Sequence, residues 1–210
     1  MLQDSMTKLL NAGTALNCSM VNTGYWSNHE IKIIGGMYKG TKIPYKPSKF
    51  LRPTENRARE TLFNWLMYDV EGSICLDMFS GTGALGLEAL SRGAKKVIFL
   101  EKNRDLYERL KILIEKLSLS ERAKVIHADS IMYSYEKLNL EFDIIFLDPP
   151  FRKGLLNTVY NSLCKNKLFG KDSLIYVEAE EDLELSFMLW KEIKKTKVGQ
   201  TQFVLYKNEG

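Results

Sequence analysis

Short apolar runs alternate with longer stretches of helix length from residue 72 onward. The apolar runs have strand length and predict buried strands at residues 73–79, 95–101, 123–129, 142–148 and 173–180. The stretches between them predict helices at residues 83–93, 104–119, 130–138 and 153–165; the second of these is amphipathic, and Gly93 is a signal for the end of the first. This alternation is typical of an α/β fold with a doubly wound, mostly parallel sheet.

Both ends of the chain depart from this alternation. Residues 31–43 predict a β-hairpin, because β-branched residues flank two turns that contain glycine. Residues 52–66 predict a helix with Thr54 as its N-cap. Near the C-terminus, residues 190–207 predict two strands joined by a turn at Gly199, and therefore an antiparallel hairpin at the edge of the sheet.

Composition limits the class of protein. The chain has 210 residues, 45% of them hydrophobic and 27% charged, which suits one α/β domain with a small extension. No apolar run approaches the roughly 18 residues that cross a bilayer. Residues 1–30 hold no sustained apolar segment, so neither a membrane partner nor a signal peptide is expected. The three cysteines have no paired spacing, which predicts a reduced, cytoplasmic protein without a metal site.

Positive charge is concentrated in one segment. Residues 31–60 hold eight basic and two acidic residues, a net charge of +6, whereas the whole chain carries +4. Such asymmetry indicates an arm that binds a polyanion. The alternative is a solvated basic hairpin without a partner.

The turn after the first strand of the alternating region carries candidate chemistry. In open α/β sheets ligands bind beyond the carboxyl ends of the strands. Here Gly81 and Gly83 allow close approach of the backbone to a ligand, within a G-x-G-x-x-G pattern that is a weak signal by itself. Asp77 is more telling, because a carboxylate would repel a pyrophosphate but attract a ligand with an ammonium and a sulfonium group.

The next two strands also end in acids. Glu101 is placed to accept both hydroxyls of a ribose, which a nicotinamide dinucleotide would also require, so this residue does not decide the cofactor. Its alternative role is that of a solvated helix-capping acid. Asp129 is placed to accept a hydrogen bond from the amine of an adenine, or else to act as the N-cap of the following helix.

The fourth strand ends in FLDPPF, residues 146–151. Pro149 and Pro150 have a fixed φ and no N–H, so they hold the Asp148 carboxylate and the Pro149 carbonyl as rigid acceptors. With the ring of Phe151, these acceptors predict a receptor for a planar ring that bears an amino group. Catalysis would then depend on positioning and pre-set electrostatics rather than on a strong base. The alternative is a purely structural end to the strand.

Together these motifs resemble the class I S-adenosylmethionine-dependent methyltransferases with a [DNS]-P-P-[YFW] motif, and more closely their RsmD family. That family methylates the N2 amine of one guanine in bacterial 16S ribosomal RNA. The resemblance covers about residues 31–206 and rests on IKIIGGMYKGTKI, LRPTENRARETLFNWL, LDMFSGTGALGLEALSRGA, VIFLEKN and DIIFLDPPF. Residues 1–30 lie outside it.

The resemblance implies a fold and a division of the chain. The fold is a Rossmann-like, doubly wound sheet of seven strands, mostly parallel with an antiparallel C-terminal strand, plus a small N-terminal hairpin and helix. Residues 1–30 would be a leader, disordered or of artificial origin. Residues 31–54 would be a basic hairpin extension, and residues 55–210 the methyltransferase domain.

The resemblance also implies roles for single residues. S-adenosylmethionine, with S-adenosylhomocysteine as product and no metal, would be bound by Asp77, Phe79, Ser80, Gly81, Thr82, Gly83, Glu101, Lys102, Ala128, Asp129 and Ser130. The target guanine would be held by Asp148, Pro149, Pro150 and Phe151. RNA phosphates would be bound by Lys39, Lys42, Arg52 and Arg57.

The implied reaction is methylation of a guanine N2 amine in 16S ribosomal RNA, guanine 966 in the family's name. The partner would be naked RNA or an assembling small ribosomal subunit, and the enzyme a cytoplasmic monomer. The same DPPF motif permits methylation of adenine N6 or cytosine N4 in DNA, which is the alternative. The short chain, without room for a separate DNA-recognition domain, counts against it.

Overall fold

The computed structural model of the chain describes residues 29–45, 56–150, 154–181 and 190–209. These residues form a two-stranded hairpin and a seven-stranded sheet. The strands are β1 (His29–Lys32), β2 (Lys42–Tyr45), β3 (Ile74–Asp77), β4 (Lys96–Glu101), β5 (Ala123–His127), β6 (Ile144–Leu147), β7 (Leu174–Glu180), β8 (Trp190–Val198) and β9 (Thr201–Asn208). The helices are α1 (Asn56–Trp65), α2 (Ala84–Ser91), α3 (Arg104–Lys116) and α4 (Leu155–Lys165).

The strand order of the large sheet is β5-β4-β3-β6-β7-β9-β8. The first five of these strands are parallel, and β9 is antiparallel to both β7 and β8. The doubly wound, mostly parallel sheet predicted from the sequence is therefore confirmed, with the last strand inserted beside β7. The chain runs outward from β3 to β5 on one side and from β6 on the other. The topological switch point, where such sheets bind ligands, thus lies between β3 and β6.

Each face of the sheet is covered by its own apolar cluster. Alternate residues of β6 divide between them: Ile144 and Phe146 join the cluster with α1, α2, α3 and the hairpin, whereas Ile145 and Leu147 join the one with α4. Helix α2 lies so close to the sheet that a Cβ at Gly86 would collide with the ring of Phe99. The third glycine of the G-x-G-x-x-G pattern is thus required by helix packing, with no ligand involved.

The turn of the hairpin docks on the C-terminal end of α2. The Met37 N–H donates to the Ser91 carbonyl at 2.7 Å, and the Tyr38 N–H donates to the Ser91 hydroxyl at 2.9 Å. Gly36 has a positive φ of 74°, and a Cβ there would collide with the Ser91 carbonyl. Helix α2 starts at the carboxyl ends of the parallel strands and ends near their amino ends. The tip of the hairpin, which docks on the end of α2, therefore lies on the side of the amino ends, away from the proposed ligand site.

The helix predicted at residues 130–138 is wrong. A turn follows Asp129, whose Oδ1 accepts the Ile131 N–H at 3.1 Å, and only Tyr135–Lys137 form a short 3₁₀ helix. The aromatic ring of Tyr135 is buried and its hydroxyl donates to the Ser130 carbonyl. This local bonding competes with helix formation. Residues 1–28 of the predicted leader and the Thr54 cap fall outside the described residues, whereas His29 and Glu30, the last two residues of that leader, form the start of β1. Among the described residues, no helix is long and apolar enough to cross a bilayer.

Candidate active site

The turn that joins β3 to α2 forms the first part of the candidate site. Asp77 is the last residue of β3 and is only 3% exposed. Its Oδ2 accepts the N–H of Gly86, in the first turn of α2, at 3.2 Å. Asp77 therefore caps a helix whose own N-cap residue, Gly83, has no side chain to do so.

Burial changes the proton affinity of Asp77. Removal from water raises the pKa of this carboxyl from 3.8 to about 7, against the opposing effect of the Gly86 hydrogen bond and with a contribution from the Glu101 charge. Burial thus disfavours the ionised form of Asp77 relative to its form in water. A cation beside this carboxylate would stabilise the ionised form.

The glycine turn has left-handed backbone at both predicted positions. Gly81 and Gly83 have φ values of 53° and 78°, and the Gly83 N–H donates to the Ser80 carbonyl at 2.6 Å. Ser80 is buried, while the neighbouring Phe79 and Thr82 are half-buried. The turn thus presents backbone and two partly accessible side chains at the carboxyl edge of β3.

Glu101, at the end of β4, is joined to this turn by hydrogen bonds. Its Oε2 accepts the Gly81 N–H at 2.7 Å and its Oε1 accepts the Asn103 N–H at 2.6 Å. Burial raises the pKa of Glu101, and these two hydrogen bonds oppose the shift. Each carboxylate oxygen keeps a second lone pair, so hydroxyl donors can still be accepted.

The end of β5 lies beside Glu101. The Ala128 N–H donates to the Glu101 carbonyl at 3.1 Å, and the carboxylate of Asp129 lies 3.6 Å from the Nζ of Lys102. Ser130 is buried, whereas Asp129 is partly exposed. The structure therefore brings the predicted residues of β3, β4 and β5 to one edge.

Asp148, Pro149 and Pro150 follow β6, at the switch point. The Met78 N–H donates to the Phe146 carbonyl at 3.2 Å, so the ends of β3 and β6 are adjacent. Asp148 and Pro150 are half-buried and Pro149 is buried. Phe151 lies outside the described residues, and its stacking role stays a prediction.

A fifth acid, Glu178 on β7, was missed from the sequence and lies next to Asp148 in the row of acids at the strand ends. Asp77 is in register with Phe146, which is in register with Tyr176 on β7. Because side chains alternate along strands, Asp148 and Glu178, each two residues further on, lie on the same face of the sheet. Glu178 is 4% exposed. A glutamate inside the otherwise apolar run LIYVEA was the available signal.

Two more buried charges behind this row were also missed. Arg59 of α1 and Glu88 of α2 are both fully buried, with Arg59 Nη1 3.8 Å from Glu88 Oε2. Glu88 also accepts the N–H groups of Ile34 and Gly35 at 2.7 and 2.8 Å, which joins the hairpin to the sheet. Arg59 sits in α1, for which the sequence predicted only an apolar face, and Glu88 sits in α2, every residue of which is buried.

Three of the four predicted RNA-binding residues lie in the described part of the chain, two of them in the hairpin and one at the start of α1. Arg57 is exposed in the first turn of α1, the end of that helix remote from the start of β3. Lys39 lies in the turn that docks on Ser91, at the opposite edge of the sheet from Asp148. Lys42 pairs with Glu30 at 2.9 Å within the hairpin, and Arg52 lies outside the described residues. A role in RNA binding remains a prediction for all four.

Comparison with known proteins places the chain among methyltransferases. Residues 31–207 match the model of the family described as conserved hypothetical protein 95. The chain is 43% identical over 182 residues to the Haemophilus influenzae protein named ribosomal RNA small subunit methyltransferase D, covering 85% of this chain and 94% of that protein. The Escherichia coli protein of the same name is 39% identical over 182 residues, covering 86% and 91%. The solved Escherichia coli structure yhhF superimposes with a TM-score of 0.76 at 36% identity, covering 86% of this chain and 99% of that one.

Proposed function

This chain belongs to the RsmD family, whose model is described as conserved hypothetical protein 95, and it is a methyltransferase of the small-subunit ribosomal RNA class. We propose that it transfers a methyl group from S-adenosylmethionine to the exocyclic N2 amine of one guanine in 16S ribosomal RNA, guanine 966 in the family's name. The observation that carries this proposal is the Asp148-Pro149-Pro150 segment that follows β6 and lies beside the glycine turn after β3, at the switch point of the sheet.

The residues at the ends of β3, β4 and β5 fit S-adenosylmethionine. Asp77 is a buried carboxylate whose pKa is raised by burial, and a cation beside it would stabilise its ionised form. The methionine ammonium would lie near it, above the turn formed by Gly81 and Gly83. Glu101 would accept the ribose hydroxyls, and Asp129 the adenine amine, with the other cofactor-binding residues named above around them. When bound, S-adenosylmethionine supplies an electrophilic methyl group on a sulfonium centre.

The substrate half of the site would be built by the segment after β6. The Asp148 carboxylate and the Pro149 carbonyl would accept the two hydrogens of the guanine N2 amine and so direct its lone pair at the methyl carbon. Phe151 would stack on the base. The guanine has to leave its stack to reach this edge, as in other enzymes that modify bases. Arg57, exposed at the end of α1, would contact RNA phosphates.

Labelled methyl transfer separates this function from the DNA alternative. We expect the purified protein to transfer methyl groups from S-adenosylmethionine to small ribosomal subunits or their RNA from a strain that lacks the gene. We expect no transfer to duplex DNA that carries unmodified adenine and cytosine. Preferential transfer to the DNA would contradict the proposal.

The pKa of Asp77 predicts how cofactor affinity depends on pH. With a pKa of about 7 this carboxyl is largely protonated at pH 6 and ionised at pH 8, and only the ionised form attracts the cationic cofactor. Affinity for S-adenosylmethionine should therefore rise about tenfold from pH 6 to pH 8. Calorimetric titration at pH 6, 7 and 8 measures this. Asp77→Asn is the control, and an equal pH dependence in that variant would contradict the assignment to Asp77.

A further inference from the structure

Glu178 stands beside the proposed substrate acid. The last registered pair of β6 and β7 is Leu147 with Val177, so Asp148 and Glu178 are the next residues on the two neighbouring strands. The hydroxyl of Tyr176 donates to Glu178 Oε1 at 3.0 Å. Burial raises the pKa of Tyr176 well above its usual value, and the charges of Glu178 and Asp148 raise it further.

Charged side chains of alternating sign lie behind Glu178 in the interior of the protein. Arg59 Nη1 lies 3.8 Å from Glu88 Oε2, and the charges of Glu88 and Glu178 both raise the pKa of Arg59 against the lowering effect of burial. On the far side, Arg92 Nε donates to Glu88 Oε1 at 2.8 Å. Arg92, Glu88, Arg59 and Glu178 thus form a group of two positive and two negative charges. Glu178 is the member of this group that lies next to Asp148 through the pairing of β6 and β7.

Arg59 and Glu88 are fully buried, and burying their charges costs free energy. Arg59 is 0% exposed, and its hydrogen bonds to the Lys32 carbonyl and Asn56 Oδ1 both come from Nη2. Its Nε and Nη1 make no hydrogen bond within the described part of the chain. Buried ion pairs with imperfect hydrogen bonding add little stability compared with apolar packing. This group of buried charges places the carboxylate of Glu178 at the proposed site, where it serves the reaction rather than stability.

We propose that Glu178 is an electrostatic positioning residue for methyl transfer, which rests on the amine-methylating function proposed above. Its fixed carboxylate, held by Tyr176 and balanced by Arg59, supplies negative charge behind Asp148. That negative charge stabilises the positive charge that develops on the substrate amine during the reaction.

The charge balance of the reaction shows why this placement matters. The amine lone pair forms the new N–C bond while the C–S bond breaks, and the electrons of that bond stay on sulfur. Positive charge therefore moves from the sulfur to the amine nitrogen, until one amine proton passes to solvent. Buried carboxylates on the amine side stabilise this transition state more than the ground state.

Two substitutions at residue 178 separate charge from shape. Glu178→Gln keeps the size of the side chain and an acceptor for Tyr176 but removes the charge. We expect kcat to fall about tenfold or more, with the KM for S-adenosylmethionine within about twofold of wild type. Glu178→Asp keeps the charge and should retain kcat within about fivefold. Steady-state methyl transfer to the RNA substrate, with calorimetric cofactor binding as the check of folding, measures both.

Control variants keep the inference open to refutation. Glu181→Gln removes an exposed charge just beyond β7 and should leave kcat within about twofold of wild type. If Glu178→Gln does not fold, Tyr176→Phe replaces it as the test. This variant frees the carboxylate from its hydroxyl donor and should lower kcat about threefold or more at unchanged cofactor KM.

The inference is overturned if Glu178→Gln folds and keeps kcat within about twofold, or if Glu178→Asp loses as much as Glu178→Gln. It is likewise overturned if Tyr176→Phe, used in its place, has wild-type kcat. Failure of the proposed function looks different. If the wild-type protein methylates an adenine or cytosine amine, the guanine proposal fails, while the same variants still test the charge effect on that amine.

Discussion

Asp148→Ala is expected to abolish methyl transfer while S-adenosylmethionine still binds with nearly the wild-type affinity. The variant removes the acceptor that directs the amine lone pair, whereas the residues proposed to hold the cofactor lie on β3, β4 and β5. Loss of one pre-organised electrostatic contact costs about 10²–10³ in rate, and loss of orientation adds to it. Single-turnover methylation and calorimetric cofactor binding measure the two effects separately.

The chain offers a matched control at the other end of the same strand. Asp143 precedes β6, is exposed, and accepts the Ile74 N–H at 2.7 Å at the edge of the sheet away from the site. Asp143→Ala should lose a little stability and keep its turnover number. Unimpaired turnover in Asp148→Ala, or an equal loss in Asp143→Ala, would refute the proposed role of Asp148.

Glu101→Ala is expected to weaken S-adenosylmethionine binding about a hundredfold or more, because two hydrogen bonds from hydroxyls to a carboxylate would be lost. The substitution also removes the acceptor of the Gly81 and Asn103 N–H groups, which loosens the glycine turn. Both effects raise the dissociation constant. Isothermal titration at a temperature well below the unfolding transition measures it.

Two further variants serve as controls for the loss of cofactor affinity in Glu101→Ala. Glu101→Gln keeps one acceptor oxygen and should bind with intermediate affinity. Glu115→Ala removes an exposed acid from α3 and should bind as wild type does. Wild-type affinity in Glu101→Ala would show that the ribose is held elsewhere.

The sequence predicted those features that depend on local pattern. The strand and helix rhythm gave the parallel sheet, and the acids at strand ends gave Asp77, Glu101, Asp129 and Asp148, which the sheet brings to one edge. Both follow from short-range rules, since parallel strands must present their carboxyl ends on the same side.

Features that depend on contacts between distant segments were not predictable in this way. Glu88 binds the hairpin and Arg59 across more than 25 residues, and Glu178 becomes significant only because β7 pairs with β6. The helix predicted at residues 130–138 failed because the Asp129 and Tyr135 hydrogen bonds fix a turn instead. A sequence pattern shows that a residue is charged or apolar, but not which partner the fold brings to it.

The most direct test of the proposed function is the identity of the methylated nucleoside. Small-subunit ribosomal RNA from a strain that lacks this gene should be treated with the purified protein and S-adenosylmethionine, digested, and analysed by mass spectrometry. We predict that the untreated RNA lacks one N2-methylguanosine and that treatment restores it at a single site. Methylation of adenine or cytosine instead, or no missing N2-methylguanosine in the deletion strain, would contradict the proposal.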